Sequence, residues 1–264
     1  MIERYTRIYR AFVRISISRF VAYRGDFFSN VIVGSGVWVF FNVFSMYLVT
    51  ARTGTVFGWS RGELILISCL YNVFIGVFGF LFVRSMTEFP DRVNKGTLDL
   101  LLLKPVDSQF YVSTYHAGLH SLLRTVLGII LAVIVCISFN ISVHPLNIVY
   151  FLLASFLGLL LLYSLLFFLN TFTIWTPRID NITELFYTLR SMGRYPRETF
   201  RQISEIFFIF ASPFVIILST PTKVLLGKAN LYDWGELTVL CIAGLVISRY
   251  FWKFALRYYT SASS

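Results

Sequence analysis

Few residues in this chain have types and spacings that could do chemistry, and each candidate lacks a necessary companion. His116-Ala-Gly-Leu-His120 sets two imidazoles four residues apart, the spacing that lets one helical face hold zinc. The glutamate that follows the first histidine in a zinc protease is absent and no third ligand is evident. The favoured reading is therefore a histidine pair at the membrane interface, at the start of a span. No Gly-x-x-x-x-Gly-Lys-Ser/Thr phosphate loop occurs, and Gly227-Lys228 has no glycine five positions before it. A serine hydrolase or intramembrane protease needs a nucleophile and a base at similar depth, yet no Asp or Glu pair lies within an apolar run. Cys69, Cys136 and Cys241 are far apart with no Cys-x-x-Cys spacing, which indicates neither a disulfide framework nor a zinc site. Asn140-Ile-Ser142 fits a glycosylation acceptor, a three-residue match that is common by chance. The chain is not expected to be an enzyme, nor to hold a metal or cofactor of its own.

Other polar residues stand inside apolar sequence. Asn42, Asn72 and Asn170 can bond between helices or touch a substrate. Arg124 is the one charge near the start of a span. It either snorkels to headgroups or faces a polar cavity. Asn42, Asn72, Arg124 and Asn170 form the candidate substrate path, with interhelical packing as the competing explanation for the asparagines.

The elements that must position these residues follow from composition. Of 264 residues, 57% are apolar and 14% charged, against roughly a quarter charged in a soluble domain. The 28 Phe, 15 Tyr and 5 Trp, with a mean hydropathy of +0.73, need more interior than a soluble chain of this size encloses. The excess must face lipid. Phe27 to Thr50 and Leu64 to Val83 carry no formal charge and predict two spans of about 20 residues or more. Thr125 to Pro177 is also uncharged but too long for one helix, and Asn140-Ile-Ser-Val-His-Pro-Leu-Asn147 divides it into a third and a fourth. A fifth runs from about Ile203 to Thr220. The sixth, Trp234 to Trp252, is the weakest, and Arg249 and Lys253 would have to snorkel. No cleavable signal peptide is expected, because the first apolar run is too long and lacks a small-residue exit.

A net charge of +10 suits nucleic acid or an anionic membrane surface. Its placement decides. One side takes Arg4, Arg7, Arg10, Arg14, Arg19 and Arg24; Arg84, Arg92, Lys95 and Lys104; Arg178, Arg190, Arg194, Arg197 and Arg201; and Arg249, Lys253 and Arg257. The other side takes only Arg52, Arg61, Lys223 and Lys228. This asymmetry predicts cytoplasmic termini and an even number of spans, and nucleic acid is not needed to explain the charge. Near the N-terminus, Arg4, Arg7, Arg10 and Arg14 fall on one face of a helix opposite Tyr5, Tyr9, Phe12, Val13 and Phe20. Such a helix either lies among lipid headgroups or contacts a cytosolic partner.

The loop from Arg84 to Val106 alternates charge with a short leucine-rich helix ending at Pro105, and Gly96 supplies a bend before it. Its Gly96-Thr97-Leu98-Asp99, Leu101-Leu102 and Pro105 resemble the pattern that ABC-2 type permeases carry after the second span. Tyr195-Pro196, Pro213, Pro221, Leu225-Leu226-Gly227-Lys228, Ala255-Leu256-Arg257-Tyr258 and Ser261-Ala262 are similar to a bacterial ABC-2 permease subfamily of about this length. The arginine density between Arg190 and Arg201 departs from it.

The resemblance implies an all-α polytopic membrane protein with six transmembrane helices in a single domain over residues 1–264, both termini cytoplasmic. Residues 1–25 would be an interfacial elbow helix, 84–110 a coupling loop, 177–202 a second cytoplasmic loop and 220–233 an external loop or short re-entrant element. It further implies an exporter's permease in a bacterial inner membrane, paired with a second permease chain. ABC ATPase subunits on separate chains would carry ATP and magnesium. Glu88, Asp91, Gly96, Thr97, Leu98 and Asp99 would contact the ATPase. An ion-coupled secondary transporter is the main rival, but such proteins usually keep ionisable residues at the midplane, and the spans hold none beyond Arg124. A scaffold that anchors a cytosolic partner is the third possibility. The aromatic, charge-poor spans suit an amphipathic or lipid-like substrate, although a lipid-facing surface produces the same composition.

Overall fold

The structure, a computed structural model, describes residues 2–22, 34–51, 55–56, 58–176, 180–200 and 205–259. It is mostly helical. Helix α1 spans Ile2–Ala22 and α2 Gly34–Thr50; a two-stranded hairpin, β1 Thr55–Val56 and β2 Trp59–Ser60, leads into α3 Arg61–Phe78. A π-helical turn at Gly79–Val83 joins α3 to α4 Arg84–Thr87, followed by α5 Phe89–Asn94, α6 Leu98–Leu102 and α7 Ser108–Thr114. Helix α8 Ser121–Ser138 packs along α3, and a short turn leads from it to α9 Pro145–Thr171. Helix α10 Asp180–Ser191 and two 3₁₀ turns, Met192–Arg194 and Arg197–Phe200, precede α11 Glu205–Leu225 and α12 Leu231–Tyr258.

Among the described residues, four helical stretches are long and apolar enough to cross a membrane: Arg61–Asn94, Ser121–Ser138, Pro145–Ile174 and Leu231–Tyr258. Gly34–Thr50 and Ser212–Leu225 are shorter apolar helices. The expected first span lies outside the described residues from Phe27 to Val33, as do Arg24, Arg178, Arg201 and the Ser261-Ala262 match.

The hydropathic centre of Arg61–Asn94 is 78% buried, against 22% for Ser121–Ser138 and for Leu231–Tyr258. Helix α3 is therefore the middle of the bundle, and the other two expose apolar faces such as Val133, Ile137, Val239 and Ile242. Glycines let the backbones meet, as at membrane helix crossings generally. A Cβ on Gly76 would lie 2.7 Å from the Thr125 backbone nitrogen, and one on Gly158 2.6 Å from the Ile217 carbonyl oxygen.

Local signals set most boundaries. Ser60 and Glu63 form a capping box at the start of α3, and Asn230 and Asp233 another at the start of α12. Asn140 turns the chain with a φ of 50°, and His144 caps α9 ahead of Pro145. This agrees with the predicted break. Helix α12 is longer than its uncharged centre because Asp233 and Glu236 at its start and Arg249 near its end all find ionic partners. Arg249 does not depend on snorkelling.

Two expected loops need correction. Helix α11 runs through Pro221 to Leu225, so residues 220–233 contain only a short connection, turned at Gly227 (φ 69°), before α12 begins at Leu231. Thr222 Oγ1 donates to the Leu218 carbonyl within the same helix. Nor do residues 184–200 stand out from the bundle as a loop. Phe186 is fully buried against Phe78 and Phe214, and Glu198 reaches Trp59 and Lys223 at the far end of the bundle.

The ends of the bundle differ in charge. At one end, Lys223 pairs with Glu198 and Asp233, Lys228 with Glu63, and Arg197 with Glu236. The other end carries α1, α4 to α7 and the last turns of α12. There Arg4, Arg7, Arg10, Arg14, Lys95, Lys104, Lys253 and Arg257 outnumber the acids.

Candidate functional site

The basic end is a platform built from segments distant in sequence. At the Gly96 bend φ is +66°, a conformation glycine enters without steric cost. Leu98 inserts fully into the core, Gly96 is also buried, and Thr97 donates to the Arg92 carbonyl. Gly96 and Leu98 shape the segment from within, and Thr97 is half-buried. Asp91 is exposed and Asp99 half-buried, while Leu100 and Leu103 stand out at 62% and 81% exposure. Sequence reasoning missed these two leucines, because a run of four leucines does not reveal which point outward. Helix α6 ends at Leu102, before Pro105.

Glu88 is an internal hub. It accepts from Tyr115 at 2.6 Å and lies 3.0 Å from His116 Nδ1 and 2.9 Å from Arg84. Arg92 stacks 4.1 Å from the Tyr115 ring centroid and donates to its hydroxyl. Burial, and then the bond to Glu88, hold the Tyr115 phenol above its usual range, so it stays a donor. His116 lies in a bend and His120 directly precedes α8, so the pair does not share a helical face. No group of three possible metal ligands exists among the described residues.

Distant elements lock this platform together. Arg4 donates to the Pro105 carbonyl, Tyr5 packs edge-on to Phe110 at 4.8 Å, Phe12 to Tyr111 at 5.3 Å, and Ser16 Oγ accepts from the Ala117 amide. Part of the apolar face of α1 is thus covered by the chain itself. From α12, Arg249 grips both oxygens of Asp107, and Trp252 donates to Ser108. Burial works against the Asp107 carboxylate, but bonds from Arg249 and the Phe110 amide outweigh it and hold its pKa below the usual range.

Inside the bundle, three of the four substrate-path candidates meet. Ser68 Oγ donates to Asn42 Oδ1 at 3.0 Å, Asn72 Nδ2 approaches the same oxygen at 3.4 Å, and Arg124 Nε donates to Asn72 Oδ1 at 3.0 Å. Asn170 is not among them. It is buried in α9 and donates to the Leu166 carbonyl. Asn42 and Arg124 border a cavity of about 660 Å³ that Tyr71, Tyr187, Arg190 and Arg194 also line. Arg124 therefore faces a cavity with both polar and apolar walls. Arg190 and Arg194, expected in a cytoplasmic loop, arrive there because α10 folds back into the bundle. Their clustering in the sequence was the available signal.

Long apolar helices around a cavity, with an excess of positive charge at one end, define a multi-pass membrane protein. Residues 37–263 match the family described as ABC-2 family transporter protein, and the chain belongs to that family. It is accordingly the permease of an ABC transporter, and permeases of this family work with ABC ATPase subunits. No curated protein and no solved structure matches the chain significantly.

Proposed function

We propose that this permease has six spans with both termini in the cytoplasm of a bacterium. It exports a small amphipathic or lipid-like compound by alternating access driven by ATPase subunits. The observation that carries this reading is the platform. Exposed Leu100 and Leu103, flanked by Asp99 and Lys104, form a docking face along α6 and its C-terminal end. Behind that face, the core contact of Leu98, the grip of Arg249 on Asp107 and the bond from Arg4 to the Pro105 carbonyl connect it to the bundle, α12 and α1. A push on α6 is thereby spread to several helices at once. ATP and magnesium belong to the partner subunits, and this chain supplies no hydrolytic group. A complete path takes two permease chains, so the active unit is a homo- or heterodimer. Export is the direction assigned by analogy with the family.

The basic end is the cytoplasmic one by the positive-inside rule, and the ion-paired end faces outward. Among the described residues that line the cavity there is no Asp or Glu, which disfavours a proton- or cation-coupled carrier.

Copurification tests the docking face. Proline fixes φ near −65° and cannot adopt the bend at Gly96, so Gly96→Pro should abolish recovery of the ATPase. Leu103→Glu should weaken recovery while leaving the permease monodisperse, and Leu231→Glu at the opposite end should not affect it. Unchanged recovery with both Gly96→Pro and Leu103→Glu overturns the assignment.

A further inference from the structure

Arg84, Arg92, Arg197, Lys223, Lys228 and Arg249 each lie against a carboxylate. Arg124, Arg190 and Arg194 have no such partner among the described residues. They rest on aromatic faces instead: Arg124 is 5.9 Å from the Tyr71 centroid, Arg190 4.7 Å from Tyr187 and Arg194 5.1 Å from Tyr195. Arg124 Nη2, Arg190 Nε and Arg194 Nε are enclosed with no hydrogen-bond acceptor among the described residues. All three side chains line the same cavity, whose described lining contains no acid.

A guanidinium keeps its charge in a protein, and grouping three half-buried ones without counter-charge is unfavourable where the surroundings polarise weakly. What would satisfy them is a group with several negatively charged oxygens, since guanidinium forks match phosphate, sulfate and carboxylate geometry. The rest of the cavity is of another kind. Trp38, Ile75 and Val83 line it, and Trp38 is 60% exposed on the side of α2 that continues into the lipid-facing surface. A volume of about 660 Å³ falls within the roughly 300–1,000 Å³ common for small-molecule sites.

We infer that the cavity takes an anionic amphiphile, with its acidic headgroup held by Arg124, Arg190 and Arg194 and its apolar part directed along Trp38, Ile75 and Val83 toward lipid. This rests on reading the chain as a permease and gives its amphipathic substrate a sign of charge. A cationic amphiphile would meet three like charges. A free inorganic anion would leave the apolar wall unused.

The test is a binding titration on the full-length chain, copurified with its ATPase and reconstituted in phosphatidylcholine nanodiscs. The probes are dodecyl phosphate, dodecyltrimethylammonium and inorganic phosphate. Dodecyl phosphate should bind saturably and more tightly than either of the others. Each of Arg124→Gln, Arg190→Gln and Arg194→Gln should weaken it by about tenfold or more, since bonds to charged groups are among the stronger ones. Arg257→Gln, exposed at the end of α12, is the control for a general loss of charge, and Arg190→Lys should restore part of the affinity. Phosphatidylglycerol added to the nanodisc distinguishes the source of the headgroup: competition identifies a lipid, and its absence an anionic amphiphile from outside the bilayer. Equal binding of the cationic probe, equal binding of inorganic phosphate, or indifference to all three arginine substitutions overturns the inference. Failure of the ATPase to copurify would count against the permease coupling instead, because binding can still be measured on the chain alone.

Discussion

Asp107 shows how far one side chain can determine the platform. It caps α7 through the Phe110 amide and receives Arg249 from the last part of α12, joining segments 142 residues apart. Its folded pKa lies below that of an ordinary aspartate, so the sign of the pH effect follows. A depressed carboxylate contributes fully above the unfolded value, and its contribution is lost as pH falls through the folded one. Thermal stability of the purified complex should therefore be flat near neutrality and fall only below the normal aspartate range. Asp107→Asn should lower stability at neutral pH and flatten the acid limb, because the charge that Arg249 needs is then absent at every pH. A melting curve that matches wild type from neutral to acid conditions would count against Asp107 as the tie between α7 and α12. Glu88 makes the same point about legibility. The family resemblance of its loop marks it for contact with the ATPase, and the structure adds that Arg84, Arg92, Tyr115 and His116 hold it within the chain.

At the scale of elements, the contact between α3 and α8 depends on the missing side chain of Gly76. A Cβ there would fall 2.2 Å from Thr125 Oγ1 as well as close to the backbone. Gly76→Ala should force the helices apart and cost about 1–3 kcal/mol, the usual range for overpacking. Gly235→Ala, where nothing lies within 4 Å, should be neutral or slightly stabilising, because alanine is the better helix former. Thermal inactivation of the two variants side by side measures the difference. Which elements could be read from the sequence follows from how charge is used. Helices α3 and α9 are legible because uncharged runs leave only the bilayer as their surroundings. The full length of α12 is not, since Asp233, Glu236 and Arg249 look like loop residues until their partners are known. Residues 177–202 read as a loop for the same reason: a window of sequence cannot show that Arg190 and Arg194 stack on aromatic rings inside the bundle. The cavity was half legible. Asn42, Asn72 and Arg124 stood out as polar residues in apolar runs, but their meeting depends on α2, α3 and α8 packing together.

For the whole molecule, the contrast between its ends carries the strongest consequence. At the Lys223 and Lys228 end each lysine lies against a carboxylate, so that end presents little net charge to be held back during insertion. Around α1 and α4 to α7 the bases outnumber the acids, which is the ground for proposing that this end lies in the cytoplasm. Moving Arg197 to the ion-paired end and Arg190 and Arg194 into the cavity reduces the asymmetry without reversing it, because Arg197 brings Glu236 as a counter-charge. Single cysteines at Lys104 and Lys228, in a Cys136→Ser background that keeps buried Cys69 and Cys241, place the two ends experimentally. A membrane-impermeant maleimide applied to intact cells should label Lys228→Cys alone, and Lys104→Cys should become reactive only in inverted vesicles. The opposite pattern would put the docking face outside, beyond reach of any cytosolic ATPase. Labelling of both positions from one side would mean that the number of crossings between them is even, whereas the proposed six-span arrangement, with α8, α9 and α11 crossing in turn, requires an odd one.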